Sequence, residues 1–71
     1  MLNEHSQKLE QIAEKNNVGK AILKEEFSSL QSEFYQKDLD KGVKIDKDKA
    51  CLNYGNKALD YIKNNIDKYK N

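Results

Sequence analysis

Two side chains in this sequence are of the kinds that most often act as a catalytic base, a nucleophile or a zinc ligand: the single histidine, His5, and the single cysteine, Cys51. A working Cys–His couple needs the two to meet in the fold and a third group to orient the base. No local motif joins them. Zinc needs several such ligands clustered, and one of each falls short. Cys51 is therefore expected to be a small packing residue. His5 is expected to sit on a helix face in a first turn prone to fraying.

Three other arrangements invite chemistry. From Asp38 to Lys49 the chain sets Asp38, Asp40, Asp46 and Asp48 among Lys41, Lys44, Lys47 and Lys49, in the manner of a calcium loop. Its glycine, Gly42, comes one position early, and Lys49 stands where such a loop ends in a bidentate glutamate. Gly19-Lys20 lacks the upstream glycine and preceding strand of a phosphate-binding loop. Glu25 and Glu26 are neighbours, so on a helix they point about 100° apart and cannot act as a pair. The expectation is a chain that is not an enzyme, with no cofactor and no metal.

The elements that position these residues are helical. Leu2, His5, Leu9, Ile12 and Asn16 step by three and four, the spacing of one helix face. Asn3 or Ser6 is a candidate cap. The pattern breaks at Asn16-Asn17-Val18-Gly19, which reads as a turn or a kink. Leu23, Phe27, Leu30 and Phe34 then carry the strongest apolar stripe, with Val18 and Ile22 widening its start. Gly42 is placed to end that helix, and Val43 and Ile45 are expected to tie the connection to the core. Asp46 is a candidate cap for a third helix, with Asp48 in its first turn. Leu52, Gly55, Leu59, Ile62 and Ile66 form its apolar face. A mid-helix glycine costs about 1 kcal/mol against alanine, so Gly55 suggests either a helix passing close by or drift at an unimportant position.

The fold class expected is all-α: a small three-helix bundle forming a single helical domain over residues 1–71. The alternative is a long bent helix paired with one other, as a dimer. At 71 residues the chain is near the small end of what folds alone. A partner or a second copy would add burial. No apolar run is long enough for a signal peptide or a membrane span, so a cytoplasmic protein with no membrane partner is expected.

Charge narrows the partner classes. All thirteen basic residues are lysine, and there is no Arg, Pro, Trp or Thr. Arginine is the usual bidentate ligand of phosphate and guanine, so its absence argues against specific nucleic-acid reading. Residues 1–40 hold five lysines and eight acids, and residues 41–71 eight lysines and four acids. Such a split can orient a charged partner, but two solvated helix faces of different composition are the favoured account of it.

Cys51, Tyr54, Ala58, Tyr61 and Asn65 step by three and four beside the core stripe of the third helix. A stripe of this kind suits a helix interface, and it is the exposed face expected to bind another protein, as an adaptor, co-chaperone or inhibitor would. A homo-oligomer that consumes the stripe is a second expectation. Tyr54, Tyr61 and Tyr69 also lie among Lys57, Lys63, Lys68 and Lys70, a mixture able to stack on bases.

Residues 12–30 carry a third possibility. Ile12-Ala13, then Val18, Lys20, Leu23, Phe27 and Leu30, resembles the helix-turn-helix of GntR-type and TetR-type repressors. The resemblance covers about a quarter of the chain. It implies DNA contact by Gly19, Lys20, Ala21 and Lys24 at the start of a recognition helix. Against it, only eleven residues precede Ile12, and Glu25 and Glu26 offset the two lysines.

Overall fold

Asn17 settles whether the first break is a turn or a kink. In the computed structural model, which describes residues 2–70, Asn17 has φ 56° and ψ 47°, the left-handed conformation. Asparagine is one of the few residues besides glycine that visit it readily. The backbone N–H of Val18 donates to Ala13 O at 2.9 Å and that of Asn17 to Glu14 O at 3.4 Å. This pair of bonds closes a helix end. The result is two helices, α1 (Asn3–Asn16) and α2 (Lys20–Asp40), joined by a turn that buries Val18.

The end of α2 is built alike. Gly42 has φ +75°, its N–H donates to Leu39 O at 3.1 Å, and the Val43 N–H donates to Asp38 O at 3.0 Å. A Cβ at Gly42 would meet nothing within 4 Å, so the backbone angle alone calls for glycine there.

The connection departs from expectation. Val43 is exposed and Ile45 only half-buried, so Val43 does not tie the loop to the core. Asp46 does not cap the third helix. Its Oδ1 accepts from the Asp48 N–H at 3.0 Å and its carbonyl accepts from the Lys49 N–H at 3.1 Å, which makes a separate turn. The helix, α3 (Ala50–Asn64), starts after it and is followed by a short 3-10 turn, Ile66–Tyr69. Nor does Asn3 or Ser6 cap α1 through its side chain.

The three helices pack as a bundle, with no strand among the described residues. Leu9 and Ala13 of α1, Leu23, Phe27 and Leu30 of α2, and Ala58, Leu59 and Ile62 of α3 form the core with Val18. Leu2, Ile22, Leu39 and Leu52, which fall on or beside the apolar stripes, are exposed. No helix is long and apolar enough to cross a membrane.

At 1.5 Å per residue α2 is about 31 Å long and α1 about 21 Å, so α1 covers only part of α2. Contacts run from Lys20 and Lys24 of α2, opposite Glu10 and Glu14, to Phe27, opposite His5. Beyond Leu30, the side-chain bonds that α2 makes to another helix all go to α3.

His5 is the main correction in α1. It is 1% exposed, the one buried polar residue among those described. Its Nε2 donates to Asn56 Oδ1 across 3.0 Å, and its ring lies 5.3 Å from that of Phe27. Gly55 makes this possible. A Cβ there would fall 2.6 Å from His5 Nδ1 and closer still to Cε1. The close approach that Gly55 suggested is therefore that of α1, carrying a histidine.

Candidate functional site

The stripe of α3 selected from the sequence does not stay together on one open face. Cys51 is exposed, but Tyr54 is buried and Ala58 is fully buried in the core. Tyr61 and Asn65 are half-buried. The exposure expected of Tyr54 fails because Tyr35 and Asp38 of α2 pack on it, and that of Ala58 because it lies in the core shared by the helices. Asn65 turns back on its own helix, donating from Nδ2 to Tyr61 O at 2.9 Å. Tyr61 packs edge-on to Phe34 at 6.3 Å, and its hydroxyl accepts from Lys68 Nζ at 2.6 Å, which raises the Lys68 ammonium's pKa.

Cys51 and Tyr54 instead join residues of α2 that the sequence did not single out. Gln31, Ser32, Tyr35 and Gln36 line one wall of a cleft of about 490 Å³, and Ala50, Cys51 and Tyr54 line the other. Gln31 and Tyr35 are one helical turn apart, so both reach α3. Gln31 Nε2 donates to Cys51 O at 2.9 Å and lies 3.6 Å from its Sγ. The Tyr35 ring stands edge-on to that of Tyr54 at 5.5 Å and 86°, a favourable geometry for aromatic pairs. No α1 residue lines the cleft.

Of the wall residues, Tyr54 donates from Oη to Asp38 Oδ2 at 2.6 Å, and Lys57 Nζ lies 3.5 Å from the same oxygen and 5.0 Å from the Tyr54 ring. The bond to Asp38 pushes the Tyr54 phenol up to about 12, because ionisation would remove the donor and set two negative charges side by side. The same bond, helped by Lys57, holds Asp38 below the ordinary carboxylate value. The cleft's lining is thus uncharged, and Tyr54 in its wall is held by Asp38. Burial also pushes the Tyr69 hydroxyl, at the far end of α3, up to about 12. No acceptor meets that hydroxyl in hydrogen-bonding geometry, so the nearby Glu26 acts on it through charge.

A second groove runs between α1 and α3, with a volume of about 580 Å³. Lys8, Lys15 and Lys63 rim it, and Ile12 and Leu59 lie at its centre. The residues of the helix-turn-helix resemblance are elsewhere. Gly19 precedes α2, and Ala21, Lys20 and Lys24 begin it, Ala21 and Lys20 being exposed. Lys20 Nζ lies 3.8 Å from Glu10 and 3.9 Å from Glu14, and Lys24 Nζ 3.9 Å from Glu10. Both lysines thus turn back onto α1.

His5 and Cys51 each have other partners, Asn56 and Gln31. Among the described residues no group of three or more His, Cys, Asp or Glu side chains is placed to hold a metal ion. Comparisons with protein-family models, with characterised proteins and with solved structures return no match.

Proposed function

We propose that the chain is a small cytoplasmic protein-binding module that seats a helix of another protein in the α2–α3 cleft. The observation that carries this is the make-up of the cleft. Its walls are uncharged and partly aromatic, Tyr54 in one wall is held by its bond to Asp38, and no α1 residue lines it. Leu39, half exposed, follows Tyr35 by one turn on the same face of α2 and extends the apolar surface. Such a patch with polar surroundings is the usual character of a protein interface.

Affinity capture from a lysate of the source cell, with and without nuclease, tests this. The wild type should retain one protein that survives nuclease. Cys51→Trp, which fills the cleft from an exposed position, should lose it while circular dichroism shows unchanged helicity. Retention by the Trp variant would place the partner elsewhere.

A DNA-binding regulator acting through Gly19, Lys20, Ala21 and Lys24 is the second reading, favoured by the left-handed turn at Asn17 between α1 and α2. The engagement of Lys20 and Lys24 by Glu10 and Glu14 weighs against it. It requires affinity that falls steeply with salt and is weakened by Lys20→Glu and Lys24→Glu. A structural homo-oligomer would instead show a defined self-association by light scattering and no other partner.

A further inference from the structure

The groove between α1 and α3 has an internal pattern. Its α1 wall is Lys8, Gln11, Ile12 and Lys15, and its α3 wall is Asn56, Leu59, Asp60 and Lys63. Each set runs i, i+3, i+4, i+7, a single stripe of its helix. The ends are polar or basic, and the middle sets Ile12 and Leu59 beside Gln11 and Asp60. Ile12 is half-buried, and Leu59 belongs to the core below. A further helix laid along this groove would meet Ile12 and Leu59 at the middle and lysines toward the ends, in the place of the fourth helix of a four-helix bundle.

The rim charges are what identify the occupant. Among the described residues, Lys20, Lys24, Lys37, Lys57 and Lys70 each have a carboxylate within 4.0 Å. Lys8, Lys15 and Lys63 have none; the same holds for Lys41, Lys44, Lys47, Lys49 and Lys68, but those line neither groove, and Asp60 lines this one with the three. Three lysines against Asp60 leave the groove positive. Lys8 and Lys15 are seven residues apart, about 10.5 Å along the axis. Acidic residues seven apart on a partner helix have the same spacing.

The geometry points to a second docking site here, for an acidic amphipathic helix of another protein. It would set an apolar side chain over Ile12 and Leu59 and its carboxylates against Lys8, Lys15 and Lys63. A nucleic acid fits less well. The groove holds no aromatic ring for a base to stack on, no arginine, two apolar side chains that a phosphate chain cannot use, and a carboxylate, Asp60, that repels phosphate. This site is separate from the α2–α3 cleft and does not rest on the reading of it.

The test uses the full chain and three fluorescent probes. One is an 18-residue helical peptide with leucine at i, i+3, i+4 and i+7 and glutamate flanking that stripe. The second has lysine for every glutamate, and the third is a short DNA duplex. Binding is read by anisotropy at low and moderate salt, and the bound surface by backbone amide shifts. The acidic peptide should bind, more weakly as salt rises, with shifts gathered over residues 8–15 and 56–63. The triple variant Lys8→Glu, Lys15→Glu, Lys63→Glu should weaken it roughly tenfold or more, since three attractions become repulsions. Gln11→Trp, which leaves every charge in place and obstructs the centre from an exposed position, should weaken it as well. Circular dichroism checks that both variants keep their helices. The proposal is overturned if the acidic peptide does not bind, if the lysine peptide binds equally well, or if affinity is unchanged in both variants. It is likewise overturned if DNA binds with the same lysine dependence while the peptide does not, or if the groove is filled by a second copy of the chain.

Discussion

The two grooves that flank α3 differ in what their polar side chains do. In the α2–α3 cleft, Asp38, Tyr54 and Lys57 satisfy one another, and Gln31 binds Cys51, so the walls present aromatic and apolar surface without charge. In the α1–α3 groove, Lys8, Lys15 and Lys63 make no ion pair among the described residues. The same α1 carries Glu10 and Glu14, which Lys20 and Lys24 engage. Where α1 meets α2, opposite charges pair. Where α1 and α3 leave a groove, lysine remains. The difference teaches that the uneven charge of the sequence has a spatial form that a count by halves of the chain does not capture.

The largest effect that separates the two grooves should come from Gly55→Ala. On helix propensity alone alanine gains about 1 kcal/mol. Here the new Cβ would collide with the buried His5 ring, and overpacking of this kind costs about 2 kcal/mol net. Urea unfolding should show the loss, and amide shifts should move between α1 and α3 while residues 31–36 stay in place. A variant more stable than the wild type would mean that His5 swings aside without cost.

Tyr54→Phe acts on the other groove and should cost less than Gly55→Ala, since it removes one hydrogen bond to a partly solvated carboxylate. It also has a pH signature. Asp38 titrates lower when folded, so its contribution is present above its unfolded value of 3.8 and is lost as pH falls through the lower folded one. Tyr54 titrates higher when folded, so its contribution is present below its unfolded value of 10.0 and is lost as pH rises toward about 12. Unfolding curves taken across pH should show both limbs flattened in Tyr54→Phe. If the variant keeps the wild-type profile, the Tyr54–Asp38 bond is not holding Tyr54 in the cleft wall.

The smallest effects should divide the lysines. Lys20→Gln and Lys24→Gln each remove an exposed ion pair and should cost a few tenths of a kcal/mol, less at high salt. Lys8→Gln and Lys15→Gln should cost nothing measurable. Equal losses at all four positions, by thermal unfolding at low salt, would remove the distinction between paired and unpaired lysines.

Much of the fold is legible in the sequence. Leu23, Phe27 and Leu30 announce α2, and Gly42 marks its end because only glycine adopts φ +75° without strain. Asn17 was harder to judge, since asparagine suits both a turn and a helix end. The site was read less well. A stripe beside the core stripe looks the same in sequence whether solvent or another helix covers it; Tyr54 is covered by Tyr35 and Asp38 of α2, and Ala58 lies in the shared core. Gln31 and Tyr35 matter through their distance from Cys51 and Tyr54, twenty and nineteen residues away, which no local pattern encodes. His5 gave one usable signal. It shares the apolar face of Leu9, while Gly55 in α3 asks for a close neighbour, and the two facts answer each other.

The most direct test of a helix-borne protein interface is photo-cross-linking in the source cell, with a benzophenone side chain replacing Ser32 in the cleft and, as control, the exposed Ser29 outside it. A single protein adduct of fixed mass from position 32, absent from position 29, is the expected result. No adduct, the same adduct from both positions, or an adduct only with a second copy of the chain would contradict it.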